Sequence, residues 1–137
     1  MKDRIKYLDL IITILISLFI FAYFRSFNIH NIIGIILFII GLIIWLKALF
    51  DLGDSFSVKP KSKRLIQRGI YSKLRHPIYY GAILSFIGLS IYSLNLIVTL
   101  FTIFLIIKQE LRIKQEENIL AKKFKKRYID YKKETWF

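Results

Sequence analysis

The chain has 137 residues, no cysteine, two histidines and a formal net charge of +13. Disulfides, thiolate nucleophiles and cysteine-ligated metals are excluded, and His30 with His76 is too little for a histidine-built metal site. Hydrophobic residues make up 55% and the mean hydropathy is +0.50, more apolar material than a soluble domain of this length can hide, so the expected solvent is a bilayer.

Met1 to Asp9 sets Lys2, Arg4 and Lys6 against Asp3 and Asp9, and a charge-free apolar run from Leu10 to Phe24 follows. With its flanks (8–25) this run reaches the ~20 residues of a spanning helix. It is longer than a signal-peptide core, and Phe24-Arg25-Ser26-Phe27 offers no small-residue cleavage site, so the helix is expected to be retained. Arg25 to Asn31 reads as a polar link, with Asn28 and Asn31 as turn or capping residues. His30 falls in it and is assigned no role.

A second span covers 32–50, with Lys47 snorkelling outward and Trp45 as an interfacial anchor. Gly34 and Gly41 lie seven apart, on one face, where another helix can approach closely. The apolar pattern then stops over a surface loop, 51–76. Gly53, Asp54, Ser55, Ser57 and Pro60 break the helix, and seven basic residues follow between Lys59 and Arg75.

Pro77 has the position of a first helical residue, where its missing N–H costs nothing. The third span is expected over 77–93, with Gly81, Ser85 and Gly88 as a small-residue stripe. Ser93-Leu94-Asn95 is a very short turn, so the fourth span, 94–110, must return as the second arm of an antiparallel hairpin. Beyond Lys108 the chain is charged but keeps a helical stripe, Leu120, Phe124, Tyr128 and Tyr131, at spacings of four, four and three. Lysines and arginines mostly fill the other faces, which suits a helix at 111–131 lying along an anionic lipid surface. Attraction to lipid accounts for the excess positive charge more simply than nucleic acid does, because the charge is concentrated beside apolar segments.

Basic residues number three at the N-terminus, seven in the middle loop and ten from Lys108 onward; the other two connections hold only Arg25. The positive-inside rule then places both termini and the middle loop in the cytosol. The expected fold is a single all-α domain over 1–137. It is a polytopic membrane protein of four transmembrane helices, the last two a tight helical hairpin, with a cytosolic C-terminal helix.

The hairpin returns the fourth helix to the start of the third. Arg75, His76 and Tyr79 are therefore expected near Glu110, Glu116 and Glu117. The two adjacent glutamates point about 100° apart on a helix, so one of them is expected to face a given pocket. A carboxylate there pairs with a cation such as Arg75, or holds a hydroxyl or ammonium of a ligand.

The run Leu65-x3-Gly69-x-Tyr71-x3-Arg75-His76-Pro77-x-Tyr79-x-Gly81, a helical hairpin, and Glu116-Glu117-x2-Leu120-x3-Phe124-x3-Tyr128-x2-Tyr131 resembles the isoprenylcysteine carboxyl methyltransferase family, grouped with membrane phospholipid and thiol methyltransferases. The resemblance covers 65–131. It implies an integral membrane enzyme using S-adenosyl-L-methionine, with His76, Tyr79, Gly81, Tyr71 and Glu116 at the cofactor and Arg75, Glu116 and Glu117 in the catalytic set. It also implies a lipophilic or prenylated acceptor approaching from the membrane. A prenylcysteine carboxylate needs no general base, whereas an amine or thiol must lose a proton, for which Glu116, Glu117 or Tyr79 are candidates.

The chain departs from the family pattern in several places. Ile70 stands where proline is common, Ser72 where a basic residue is common, and Lys125 where glycine usually follows the Phe of the last helix. The chain also ends Glu134-Thr135-Trp136-Phe137 without the usual arginine and proline. Two other classes fit the sequence less well. A small four-helix transporter usually needs an ionisable residue inside a span, and the four apolar cores hold none. A nicotinamide-dependent membrane reductase shows no G-x-G-x-x-G fingerprint here, although those enzymes do not require one. The short, lysine- and isoleucine-rich chain points to a microbial cell membrane, where protein prenylation need not exist.

Overall fold

A computed structural model of the chain describes residues 8–23, 28–52 and 65–136. The basic N-terminus, the link at Arg25 and the loop cations from Lys59 to Arg64 lie outside the described residues. Among those described, all regular structure is helical. Helix α1 runs Leu8–Tyr23, α2 Ile29–Leu52, α3 Pro77–Ser93 and α4 Leu96–Glu134, with a 3-10 turn at Gly69–Ser72 before α3.

Helix α2 is long and apolar enough to cross a membrane; its 24 residues reach about 36 Å, against a hydrocarbon core of ~30 Å. Helices α1 and α3 are apolar but shorter, 16 and 17 residues. Helix α4, 39 residues in two segments that meet at a kink, begins apolar and becomes charged. Large apolar side chains stand exposed along α1, α2 and the first half of α4, Phe19, Ile43 and Phe104 among them.

The α2 start differs from the sequence reading, which kept Asn31 in the link. Asn28 opens the helix by accepting from the backbone N–H of Asn31 and Ile32. Asn31 sits in the first turn, fully buried, and donates through Nδ2 to the Tyr92 carbonyl at 2.7 Å. An amide needs a partner when buried, and the C-terminal turn of α3 supplies it. The polar residue therefore pins α2 to α3.

These two helices form the packed centre. A Cβ added at Gly41 would stand 2.7 Å from the Gly81 carbonyl oxygen, and one added at Gly81 would stand 2.9 Å from that of Gly41. No side chain fits between backbones so close, which is why the two small-residue stripes read from the sequence face one another. Trp45, Leu49 and Ala82 fill the space toward the loop end. Ile20, Leu89 and Tyr92 fill the far end.

The hairpin is as tight as its sequence requires. Leu94 takes a left-handed conformation (φ 43°) that stops α3, and the Asn95 side chain caps α4 by accepting from Ile97 N at 2.9 Å and Val98 N at 3.3 Å. Ser90 and Thr99 share a 2.8 Å hydroxyl contact, and Thr102 donates to the Phe86 carbonyl, so the two arms run antiparallel. The returning arm thereby brings its charged half to the start of α3.

Helix α4 breaks once. Lys125 has φ 44° and ψ −121°, outside helical geometry. The left-handed side of the map is costly for any residue with a Cβ, and this is the position where the resembling family usually has glycine. The break turns the last helical segment back toward the 3-10 turn. Tyr128, Tyr131 and Thr135 are buried there, so the aromatic stripe read as one face is bent in the middle.

Candidate functional site

The site is built from the polar stretch before α3, the first turn of α3, and α4 on both sides of its break. Pro77 occupies the first helical position with His76 as the capping residue. The fixed φ of proline starts the helix there, so His76 and Tyr79 come to adjacent positions over α4.

Tyr79 donates its hydroxyl to Glu116 Oε1 at 2.5 Å. His76, 5% exposed, has Nδ1 at 3.8 Å from Glu116 Oε2 and Nε2 at 3.5 Å from Glu117 Oε1. This corrects the expectation that a single glutamate of the pair faces the pocket. Adjacent helical side chains do diverge by about 100°, but the imidazole lies between them, with one ring nitrogen on the side of each carboxylate.

Glu117 is held from the other side by cations. Arg75 Nε is 3.1 Å from Oε1, and Lys132 Nζ is 3.1 Å from Oε2. Arg75 also donates through Nη1 to the Lys132 carbonyl and to Thr135 Oγ1, each at 3.3 Å. Trp136 N donates to the Lys73 carbonyl at 2.9 Å. Tyr131 donates its hydroxyl to the Tyr71 carbonyl at 2.5 Å. The segment after the Lys125 break is thus fastened across the site.

The 3-10 turn has its own anchor. Asp51, in the last turn of α2, accepts from the Ile70 N–H at 2.8 Å and pairs with Lys47 at 3.5 Å. Gly69 (φ 58°) faces the same carboxylate, and a Cβ there would come within 2.5 Å of Asp51 Cγ. Glycine is needed twice over, for the backbone conformation and for the space. Tyr71 is buried by this turn.

Electrostatics separate the acidic pair. Burial pushes Glu116 above the usual carboxylate range, only partly offset by the Tyr79 hydrogen bond and the Arg112 charge. Burial acts on Glu117 in the same direction, but the Lys132 hydrogen bond and the charges of Lys132 and Arg75 prevail and hold it below its ordinary value. Burial lowers His76 to about 4 despite the neighbouring Glu117, so the imidazole is neutral at pH 7. One acid is therefore fixed in its ionised form while the other can take up a proton. Burial raises Tyr131 to about 12 and raises Tyr71 and Tyr128 further, so all three remain phenols.

The structure brings Arg75, His76, Tyr79, Glu116 and Glu117 together, with Tyr71 buried beside them. Gly81 lies one turn further into α3, against the Trp45 backbone, and is not part of this cluster. Glu110 is exposed. Two residues were missed. The Arg112 guanidinium lies over the Tyr79 ring, 5.5 Å from its centroid, and its spacing of four from Glu116 was a legible sign of a shared helix face. Lys132 had no such sign, because the backbone break at Lys125 changes its direction.

The cluster can hold a ligand bearing charges of both signs. Its carboxylates accept from hydroxyl or ammonium groups, and its guanidinium suits a carboxylate. Arg75 Nε, His76 Nε2 and the Tyr128 hydroxyl are buried without a well-formed hydrogen bond, despite the short ion-pair distances. Buried polar atoms in that condition need a further partner.

Comparison with known proteins gives a consistent result. A family model described as phospholipid methyltransferase matches residues 29–127. Protein-S-isoprenylcysteine O-methyltransferase of Saccharomyces cerevisiae is 31% identical over 121 residues, covering 82% of this chain and 50% of the yeast protein. The chain therefore spans about half the length of that curated relative. No solved structure matches the present chain.

Proposed function

Because the chain belongs to the phospholipid methyltransferase family, we propose that it is an S-adenosylmethionine-dependent membrane methyltransferase acting on a lipophilic acceptor at the cytosolic face. In this reading all four helices cross the bilayer as one domain. The shorter ones do so through their flanks, and the charged half of α4 emerges on the side of the middle loop. Both termini then lie in the cytosol.

The observation that carries the reading is the neutral His76 ring standing between Glu116 and Glu117, at the end of apolar helices. Poorly formed hydrogen bonds at His76 Nε2 and the Tyr128 hydroxyl, beside the Arg75–Glu117 pair, fit a ligand with a carboxylate, an ammonium and a ribose diol. When bound, S-adenosylmethionine supplies an electrophilic methyl carbon. Glu117, kept ionised by Arg75 and Lys132, accepts from ligand hydroxyl or ammonium groups. Glu116 and Tyr79, joined at 2.5 Å, form the opposite wall, with Tyr71 behind them.

The name of the yeast relative supports a carboxylate acceptor of the prenylcysteine type. Such a group is already ionised at neutral pH, so the protein must align it and strip its water, with no proton to remove. Arg75 is the residue placed to orient that carboxylate. A second reading, methylation of a lipid amine, is favoured by Glu116. Burial raises its affinity for protons, so it is suited to receive the one an ammonium acceptor must lose.

Calorimetric titration of the purified full chain with S-adenosylmethionine tests the proposal. Saturable binding that weakens in Glu117→Gln is expected. No binding at millimolar cofactor to folded protein overturns it.

A further inference from the structure

The segment after the Lys125 break has two faces. The inner one carries Tyr128, Tyr131 and Thr135, buried against the turn and the stretch before α3. At 100° per residue, Lys126, Ile129 and Lys133 fall on the opposite side, and all three are exposed. Trp136 follows directly, 72% exposed.

The segment is fastened to the stretch just before α3. Trp136 N bonds to the Lys73 carbonyl, and Arg75 bonds to Lys132 and Thr135. Lys73 and Arg75 directly precede Pro77, where apolar α3 begins. The neighbouring end of α2 carries Phe50 at 81% exposure, an apolar side chain suited to lipid contact. If α3 crosses the bilayer, the outer face of 126–136 lies at the level of the headgroups. This inference rests on that part of the proposed function, the membrane placement.

The chemistry of the face matches that level. Residues 126–136 hold four basic side chains, Lys126, Arg127, Lys132 and Lys133, and two acidic ones, Asp130 and Glu134. Of the four, Lys132 is engaged by Glu117, and Glu134 lies to the side of the outer face. The outer face keeps Lys126 and Lys133, whose flexible ammonium groups suit phosphate oxygens. Trp136 adds an indole, the ring that settles at the interface between headgroups and chains. Asp130, also exposed, lies near Lys126 on the helical wheel and is outnumbered. A merely solvated face would not need an exposed indole beside its cations.

We propose that the outer face of residues 126–136 binds anionic phospholipid headgroups, through Lys126 and Lys133 with Trp136 as the interfacial anchor. The inner face of the same segment covers Glu117. Anionic lipid therefore holds the segment down over the candidate site, and the leaflet's charge becomes a determinant of how tightly that site is closed.

The test uses the full chain in vesicles of phosphatidylcholine carrying bromine-labelled acyl chains, with or without phosphatidylglycerol. The chain has two tryptophans, Trp45 and Trp136, so the difference between wild type and Trp136→Phe isolates the Trp136 signal. Stronger quenching of Trp136 is expected with phosphatidylglycerol, with its loss in high salt. The Lys126→Gln/Lys133→Gln double variant is expected to need roughly tenfold more anionic lipid for the same quenching. Equal quenching with and without phosphatidylglycerol, or an unchanged response in the double variant, overturns the proposal. So does an unquenched Trp136 in both vesicles, the result for a surface reserved for a soluble partner. The Trp45 signal remaining in Trp136→Phe reports insertion of the chain itself, so failed membrane placement is seen separately. Methyl transfer plays no part in the readout.

Discussion

The hydroxyl of Tyr79 meets Glu116 Oε1 at 2.5 Å, joining the first turn of α3 to the charged half of α4. Hydrogen bonds to an ionised partner contribute about 1.5–3 kcal/mol. This one opposes the burial that raises the Glu116 carboxyl. Tyr79→Phe should therefore raise Glu116 further and weaken cofactor binding by roughly 10- to 100-fold. The thermal midpoint should fall by only a few degrees, because the hydrogen bond is lost while the ring and its packing remain. Titration calorimetry alongside a thermal melt separates the two; unchanged affinity would remove Glu116 from the binding wall.

Lys125 carries backbone strain that glycine would not. A non-glycine residue in such a conformation costs on the order of 1–3 kcal/mol, while glycine loses about 0.5–1 kcal/mol more in chain entropy on folding. Lys125→Gly is thus expected to stabilise the protein by about 1 kcal/mol, and Lys125→Ala to leave the strain in place. Thermal or denaturant unfolding of the three proteins in one detergent checks this. Equal stability of Gly and Ala variants would show that the break stores no strain.

His76 gives the fold a defined acid sensitivity. Its folded value is about 4, below the ~6.5 of an exposed histidine, so the unfolded chain binds more protons between those limits. Stability is then complete above pH 6.5 and falls as pH drops toward 4, by up to roughly 3 kcal/mol. Glu117, depressed by its cations, adds its own loss only as pH falls below the ordinary glutamate range. A decline beginning near pH 6.5 therefore belongs to His76, and His76→Gln should abolish that part of the profile. A decline that persists in the variant would assign it elsewhere.

Asp51 and Gly69 should behave as a coupled pair. Asp51→Ala removes the acceptor of the Ile70 N–H and should cost about 1–2 kcal/mol. Gly69→Ala faces both the positive φ and the Asp51 carboxylate, so it should cost more. In the Asp51→Ala background the collision disappears and only the backbone penalty remains. A double-mutant cycle measures the difference; additive costs would mean the two residues do not touch in solution.

How much of this was legible in the sequence depends on how far apart the interacting groups are along the chain. The small residues of α2 and α3 announced their contact through helical spacing, and Gly41 meets Gly81 as that spacing implies. Pro77 fixed the start of α3 by its own geometry. The approach of Arg75, His76 and Tyr79 to the glutamate pair followed from the short turn at Leu94. The position of His76 between the two glutamates did not follow from spacing, which describes Cβ directions and says nothing of an imidazole lying between them. Lys132 was hidden for a different reason. Periodicity assumes one uninterrupted helix, and α4 breaks at Lys125, where the departure from the family's glycine was the only trace. The Asp51 contact with Gly69 was illegible because it joins residues across a loop whose path no local pattern specifies.

If the cluster around His76 serves methyl transfer to a lipid-soluble acceptor, the acceptor must gain the label carried by the cofactor. The most direct measurement supplies methyl-labelled S-adenosylmethionine to the reconstituted chain with membrane lipids and a prenylcysteine analogue, then follows label into the organic phase. Label should appear there with wild type and fall by at least about tenfold in Glu117→Gln, through loss of a charged contact to the bound cofactor. Wild type that binds the cofactor yet transfers no label, or a Glu117→Gln variant as active as wild type, would rule out methyl transfer by this cluster.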